Sequence, residues 1–209
     1  MQIKKLRDGL LGAALSLTVA ILLPVATTAD ERTLMLYGDS LMAGLGLSAQ
    51  DSFAGQLQQA LGDDVTIVNA SVSGDTASDG LARLDWSLAE RPDAVILELG
   101  ANDMLQGRSV DTMRQSLTAI LQRFGDENIP VLLAGMRASP GLGTDYVNAY
   151  EAVFPELAAE FGTRFYPFFL DGVATDPSLN QADGLHPNAQ GVAVIVEGIL
   201  PEVEALLNR

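Results

Sequence analysis

His186 is the only histidine in a chain of 209 residues. It stands three positions after an acid, in Asp183-Gly184-Leu185-His186-Pro187. Near the other end, Gly38-Asp39-Ser40-Leu41 sits at the tip of an apolar run. Acyl transfer by a serine needs one base to take the hydroxyl proton and one carboxylate to orient that base. If this chain performs such chemistry, His186 has no rival as the base. At a spacing of three on a turn, Asp183 can accept from one imidazole nitrogen while the other faces Ser40. Asp39 and Asp103 are rival carboxylates, but neither has a built-in link to His186.

Two further polar clusters follow apolar runs. In Asn69-Ala70-Ser71-Val72-Ser73-Gly74-Asp75-Thr76, Gly74 can present its backbone N–H because no side chain blocks approach. In Gly100-Ala101-Asn102-Asp103, a neutral amide offers the hydrogen bond that a developing oxyanion needs. Each cluster has an ordinary reading beside the chemical one. Ser40 could cap a helix, Asp75 or Thr76 could cap the next, and Asn102 or Asp103 could close a polar turn. The coincidence of four clusters, three at strand ends and one before the last helix, outweighs any one of them.

The elements that would position these residues alternate along the chain. Leu34–Tyr37, Val65–Val68, Ala94–Leu97, Val131–Ala134 and Phe165–Phe168 read as buried strands, the last weakened by Pro167. Between them run helical stripes. Phe53, Leu57, Ala60 and Leu61 share a face, as do Leu81, Leu84 and Leu88. Val110, Met113, Leu117, Ile120, Leu121 and Phe124 form the clearest stripe. Val147, Tyr150, Phe154, Leu157 and Phe161 form another, and Val192, Val196, Ile199, Val203 and Leu206 close the chain. Pro155 and Pro201 are expected to kink or restart the last two helices, and Pro187 to open the final one. Strand–helix alternation predicts an α/β fold: a flavodoxin-like three-layer α/β/α sandwich with a central parallel sheet of about five strands. Sites belong at the carboxyl ends of such strands.

Residues 1–29 differ from the rest. Lys4, Lys5 and Arg7 precede an apolar run from Leu10 to Leu23, short for a membrane span. Pro24 ends it, and Thr27-Thr28-Ala29 supplies small residues before Asp30. This pattern predicts a secretory signal cleaved after Ala29 or Ala26, and a periplasmic or secreted protein of one domain, residues 30–209. The whole chain carries 12 basic and 27 acidic residues, net −15. Losing three bases and Asp8 with residues 1–29 leaves 9 against 26, net −17. Such a surface repels nucleic acid and anionic membranes. No cysteine is present, which excludes disulfides, thiol catalysis and thiolate metal sites.

Taken in order, the four clusters resemble the SGNH, or GDSL-type, esterase and lipase family. Its signature serine, glycine, asparagine and histidine match Ser40, Gly74, Asn102 and His186, and Asp183 matches its third triad member. The chain is most similar to the bacterial periplasmic thioesterase I, lysophospholipase and arylesterase branch. Ala101, often glycine in that branch, is a mild departure. The resemblance implies an acyl-serine mechanism with catalytic Ser40, Asp183 and His186. The oxyanion hole would comprise the backbone N–H groups of Ser40 and Gly74 and the side chain of Asn102. Neither metal nor cofactor is implied, and the expected partner is a small acyl ester or thioester, acted on by a monomer. Met104, Leu105 and Leu142 would receive the acyl chain. A carbohydrate O-acetylesterase uses the same triad on similar folds, and an inactive lipid- or glycan-binding module is the non-enzymatic alternative. Glu98, an acid inside an apolar strand, has no role in this reading.

Overall fold

Short runs of leucine, valine and isoleucine, too brief for helices, form the strands. In the computed structural model, which describes residues 32–208, these are β1 (Arg32–Tyr37), β2 (Val65–Asn69), β3 (Ala94–Leu97), β4 (Val131–Ala134) and β5 (Arg164–Tyr166). They form one sheet in the order β2-β1-β3-β4-β5, with every pair parallel. The helices are α1 (Ser40–Ala43), α2 (Phe53–Leu61), α3 (Ala77–Ser87), α4 (Ala101–Leu105), α5 (Val110–Asp126), α6 (Thr144–Phe161) and α7 (Ala189–Leu207). α2 packs on α7, while α3 packs on α5 and α5 on α6, giving a helical layer on each face. The order is flavodoxin-like, and the five-stranded parallel sheet between two helical layers is the architecture anticipated from the sequence. Both faces of the sheet are covered, which is why β3 and β4 are buried at every residue.

The chain runs from β1 to β2 on one side, then crosses to β3 on the other. Connections therefore leave the carboxyl ends of β1 and β3 in opposite directions. Such a switch point opens a crevice, the usual place for a site in this architecture.

Several local expectations need correction. β5 begins at Arg164 and stops at Tyr166, because Pro167 has no N–H to continue a ladder. Pro155 and Pro201 lie inside α6 and α7, which run on through them, so neither helix restarts. Pro187 does not open α7. It forms an isolated bridge with Asn180, and Asn188 caps the helix. Leu81 is over a third exposed, and Ala60 is exposed too. The buried face of α3 is instead Ala77, Gly80, Leu84 and Ser87, because α3 lies close on the sheet at Gly80. There the buried Tyr37 hydroxyl donates to the Gly80 carbonyl at 2.5 Å.

α7 makes a comparable close approach at Gly191. A Cβ there would lie 2.2 Å from the Leu179 carbonyl oxygen, backbone that cannot rotate away. Gly191→Ala is therefore predicted to destabilise the protein by about 1–3 kcal/mol. Thermal denaturation should register this as a melting temperature lower by about 2–4 °C per kcal/mol. An unchanged melting temperature would mean that the Leu179 loop yields freely.

Candidate active site

The two ends of the chain meet at the carboxyl edge of the sheet. Ser40 Oγ lies 2.8 Å from His186 Nε2, across 146 positions of sequence. His186 Nδ1 lies 2.7 Å from Asp183 Oδ2. An ionised carboxylate only accepts, so Nδ1 donates to Asp183 and Nε2 is left to accept from the Ser40 hydroxyl. Asp183 is itself held in place. Its Oδ1 accepts the backbone N–H groups of Leu185 and His186 at 2.9 and 3.0 Å. The His186 and Leu185 N–H groups, with the imidazole, hold this carboxyl well below the usual range.

The Asp183–His186 loop is fastened at its base. Gln181 N–H donates to the His186 carbonyl at 2.7 Å, and Gln181 Nε2 reaches both Leu45 O and Pro187 O. The Asn188 side chain accepts from Gln190 and Gly191 N–H, capping α7, and donates to Ser178 O and Asn180 O.

Ser40 is the first residue of α1, and Asp39 caps that turn by accepting Leu41 N–H at 3.0 Å. Ser40 is thus not the cap, the ordinary role open to it. Gly74 has φ +91°, a conformation that L side chains rarely adopt, and a Cβ there would meet nothing within 4 Å. Its N–H and that of Ser40 have no acceptor among the described residues. The Asn102 amide donates to Asp39 Oδ2 and to the Asp75 carbonyl, each at 3.0 Å. Ser40, Gly74, Asn102 and His186 all line the same cavity.

The rival carboxylates are occupied elsewhere. Asp103 accepts Ala77 N–H at 2.8 Å at the start of α3, where Thr76 forms a capping box with Asp79. Asp39 serves α1 and Asn102. Both are buried, and burial raises both carboxyls, Asp39 to about 6.

The sequence reading missed Arg83. Its Nε pairs with Asp75 at 2.5 Å, NH2 donates to Gly38 O, NH1 donates to Ala70 O, and the guanidinium lies 4.2 Å from the Tyr37 ring centroid. One side chain thereby ties the ends of β1 and β2 to the Gly74 loop. No local signal in α3 (Ala77–Ser87) distinguishes this arginine from an ordinary surface one.

The cavity has a volume of about 870 Å³ and is mostly apolar. Met104 and Leu105 line it. Leu142 does not: it is exposed, and Ser139 and Pro140 from its loop form the wall instead. Met136, Val147, Phe168 and Leu170 supply further apolar wall; the sequence marks Val147 and Phe168 only as core positions. Among the described residues no group of three or more histidine or acidic side chains is placed to hold a metal ion. No described helix is long and apolar enough to cross a membrane.

Residues 36–194 match the model of the GDSL-like lipase/acylhydrolase family, and the chain belongs to that family. It is 39% identical over 183 residues to esterase TesA of Pseudomonas aeruginosa, covering 86% of this chain and 91% of that one. It is 37% identical over 185 residues to thioesterase 1/protease 1/lysophospholipase L1 of Escherichia coli, covering 88% of each. The crystal structure of AlinE4, an SGNH-hydrolase family esterase, superposes with a TM-score of 0.72 at 40% identity, covering 85% of this chain and 97% of the solved one.

The buried Asp39 carboxyl has a consequence for stability. Its folded value of about 6 lies above its ordinary 3.8, so between these values the folded state binds the extra proton. Its contribution is fully present below about pH 4 and is lost as pH rises through about 6. Asp39→Asn removes that loss, so the variant's melting temperature relative to the parent is predicted to increase between pH 4.5 and pH 7.5. A difference that stays constant with pH would contradict the burial argument.

Proposed function

We propose that this protein is a serine-dependent acyl hydrolase of carboxylic esters and thioesters, with Ser40 as nucleophile. The observation that carries the reading is the unbroken relay of Ser40, His186 and Asp183 at the wall of an apolar cavity. Ser40 Oγ attacks the acyl carbonyl as His186 Nε2 takes its proton. The resulting imidazolium is stabilised by Asp183 and returns the proton to the departing alkoxide or thiolate. Water then attacks the acyl-serine with His186 again as base.

Oxyanion stabilisation falls to Ser40 N–H, Gly74 N–H and Asn102 Nδ2. The first two have no other acceptor among the described residues. Both Asn102 hydrogens are already engaged, so it serves the oxyanion by sharing one. The hydrogen on the neutral Asp75 carbonyl is the one more easily released, since the bond to a charged Asp39 is the stronger.

The mostly apolar lining favours esters with a hydrocarbon acyl chain over acetylated sugars, and the names borne by the relatives, an esterase and a thioesterase and lysophospholipase, support the same class. We further propose that residues 1–29, outside the described residues, are an export signal and that residues 30–209 form the exported, monomeric domain. N-terminal sequencing of the exported protein should begin at Asp30 or Thr27.

Ser40→Ala should lower hydrolysis of p-nitrophenyl esters by at least about 10³-fold, and Asn102→Ala should lower kcat by about 10²–10³-fold. Full activity in Ser40→Ala would refute the mechanism. Across p-nitrophenyl esters from acetyl to palmitoyl, kcat/KM should peak at medium or long chains. A maximum at acetyl would move the assignment to an O-acetylesterase.

A further inference from the structure

Glu98 directly follows β3 at the centre of the sheet, fully buried and packed against the turn that carries Ser40. Its Oε2 sits 2.8 Å from where a Cβ on Gly38 would be, so Gly38 leaves room for this carboxyl. The same oxygen faces the Asp39 N–H at 3.5 Å, a long contact. Oε1 has no partner among the described residues. Asp39 by contrast is well served. Its carboxylate accepts from Leu41 N–H and from the Asn102 amide, and it lies within the field of His186.

Two neighbouring buried carboxyls cannot both carry charge without a large cost. The single negative charge belongs where hydrogen bonds solvate it, which is Asp39. Asp75, held by Arg83, faces Asp39 from the loop before α3, and Tyr150 on α6 faces Glu98, Asp39 and Asp103 of α4. The Asp39 charge adds negative potential at Glu98 and favours its neutral form. Burial and the Asp39 charge accordingly raise the Glu98 carboxyl well above the ordinary range.

We propose that Glu98 is a positioning residue: as a neutral carboxyl packed against Gly38 and the Asp39 N–H, it keeps the charge on Asp39 and so fixes the Asn102 amide that serves the oxyanion. An ionised Glu98 would compete with Asp39 for the single charge. A protonated Asp39 would then hold Asn102 more weakly, and the donor would lose its aim. The proposal rests on the reading of Asn102 given above.

A double-mutant cycle on the full chain, read by steady-state hydrolysis of a p-nitrophenyl ester, tests it. Glu98→Gln keeps shape and neutrality, and kcat at pH 7.5 should stay within about threefold of the parent. Glu98→Leu stays neutral but removes the oxygen that faces the Asp39 N–H, so Asp39 and the Asn102 amide it holds lose their place; kcat should fall by about tenfold or more with little change in KM, and the loss should add almost nothing to that of Asn102→Ala. Infrared difference spectroscopy of the parent against Glu98→Gln should find a protonated carboxyl band at pH 7.5. This measurement needs no activity, and it holds if Glu98→Leu fails to fold. The proposal is overturned if the Glu98 band is that of a carboxylate, if Glu98→Gln is as slow as Glu98→Leu, or if the Leu and Ala effects multiply in full. Those results would leave the Asn102 reading intact as long as Asn102→Ala alone is slow. Parental rates in Asn102→Ala would instead sink the reading and the proposal together.

Discussion

The site depends on one constraint in the sheet: β1 must hydrogen-bond to β2 and β3 at the same time. Leu36 is in register with Asn69 on one side and with Ile96 on the other. The three strands therefore end nearly level, and the loops after them deliver Ser40, Gly74 and Asn102 to one wall. A slip of one residue in either ladder would turn that strand's core side chains to the opposite face. A slip of two would preserve the faces but move a loop by about 6.6 Å, beyond the reach of any hydrogen bond. The near-continuous burial of Leu34–Tyr37 and Ala94–Leu97 thus fixes catalytic geometry as well as the core.

The same edge concentrates buried acids. Asp39, Asp75, Glu98 and Asp103 all lie near it, and only Asp75 forms an ion pair, with Arg83. Such an arrangement opposes folding near neutral pH, where desolvated carboxylates are costly. The large apolar core elsewhere offsets this. Local rules of stability tend to be broken where geometry is needed for function. Here the departures follow a pattern. Asp39 and Asp103 each accept the N–H of a helix start, and the unpaired oxygens belong to Asp103 and Glu98. Arg83 is the counterweight, since it fastens three backbone segments and neutralises one acid.

Much of this was legible in the sequence because the relevant signals are local. Apolar runs of four to six residues between 3.6-period stripes give strand, helix and layer assignments directly. Asp183 and His186 are three apart, and their contact is a property of one turn. Ser40, Gly74 and Asn102 were legible as loop residues at strand ends. Long-range pairings were not. Nothing in α3 announces that Arg83 reaches Gly38 and Ala70, and nothing in Gly191 announces the Leu179 carbonyl above it. Leu142 misled because apolar character in a loop does not say which way the loop turns. Leu81 misled for a related reason: a close helix–sheet approach uses small residues, so the contact face of α3 is built on Gly80 rather than leucine. Of the two expectations for the prolines of α6 and α7, a restart does not occur, because a missing N–H costs a helix one bond and packing on both sides can outweigh it.

The relay joins a residue in the first helical turn to one in the last loop, so without a direct tie its geometry would accumulate every error in the intervening chain. Gln181 removes that dependence. Its amide nitrogen donates to Leu45 O, just past the Ser40 turn, and to Pro187 O, just past His186. A Cβ on Gly46 would lie 2.3 Å from Gln181 Oε1, so the two segments touch there. The nucleophile and base loops are thus fastened to each other directly, through one planar amide. Their spacing is set by that short bridge and by the Gln181 N–H to His186 bond, and not by the summed positions of five strands and seven helices. Small shifts of α6, which supplies Val147 to the apolar wall, can then occur without opening the 2.8 Å contact between Ser40 and His186. The part of the acyl-binding surface that α6 and the segments after β4 and β5 supply (Met136, Val147, Phe168 and Leu170) is thus free to vary while the proton relay stays fixed.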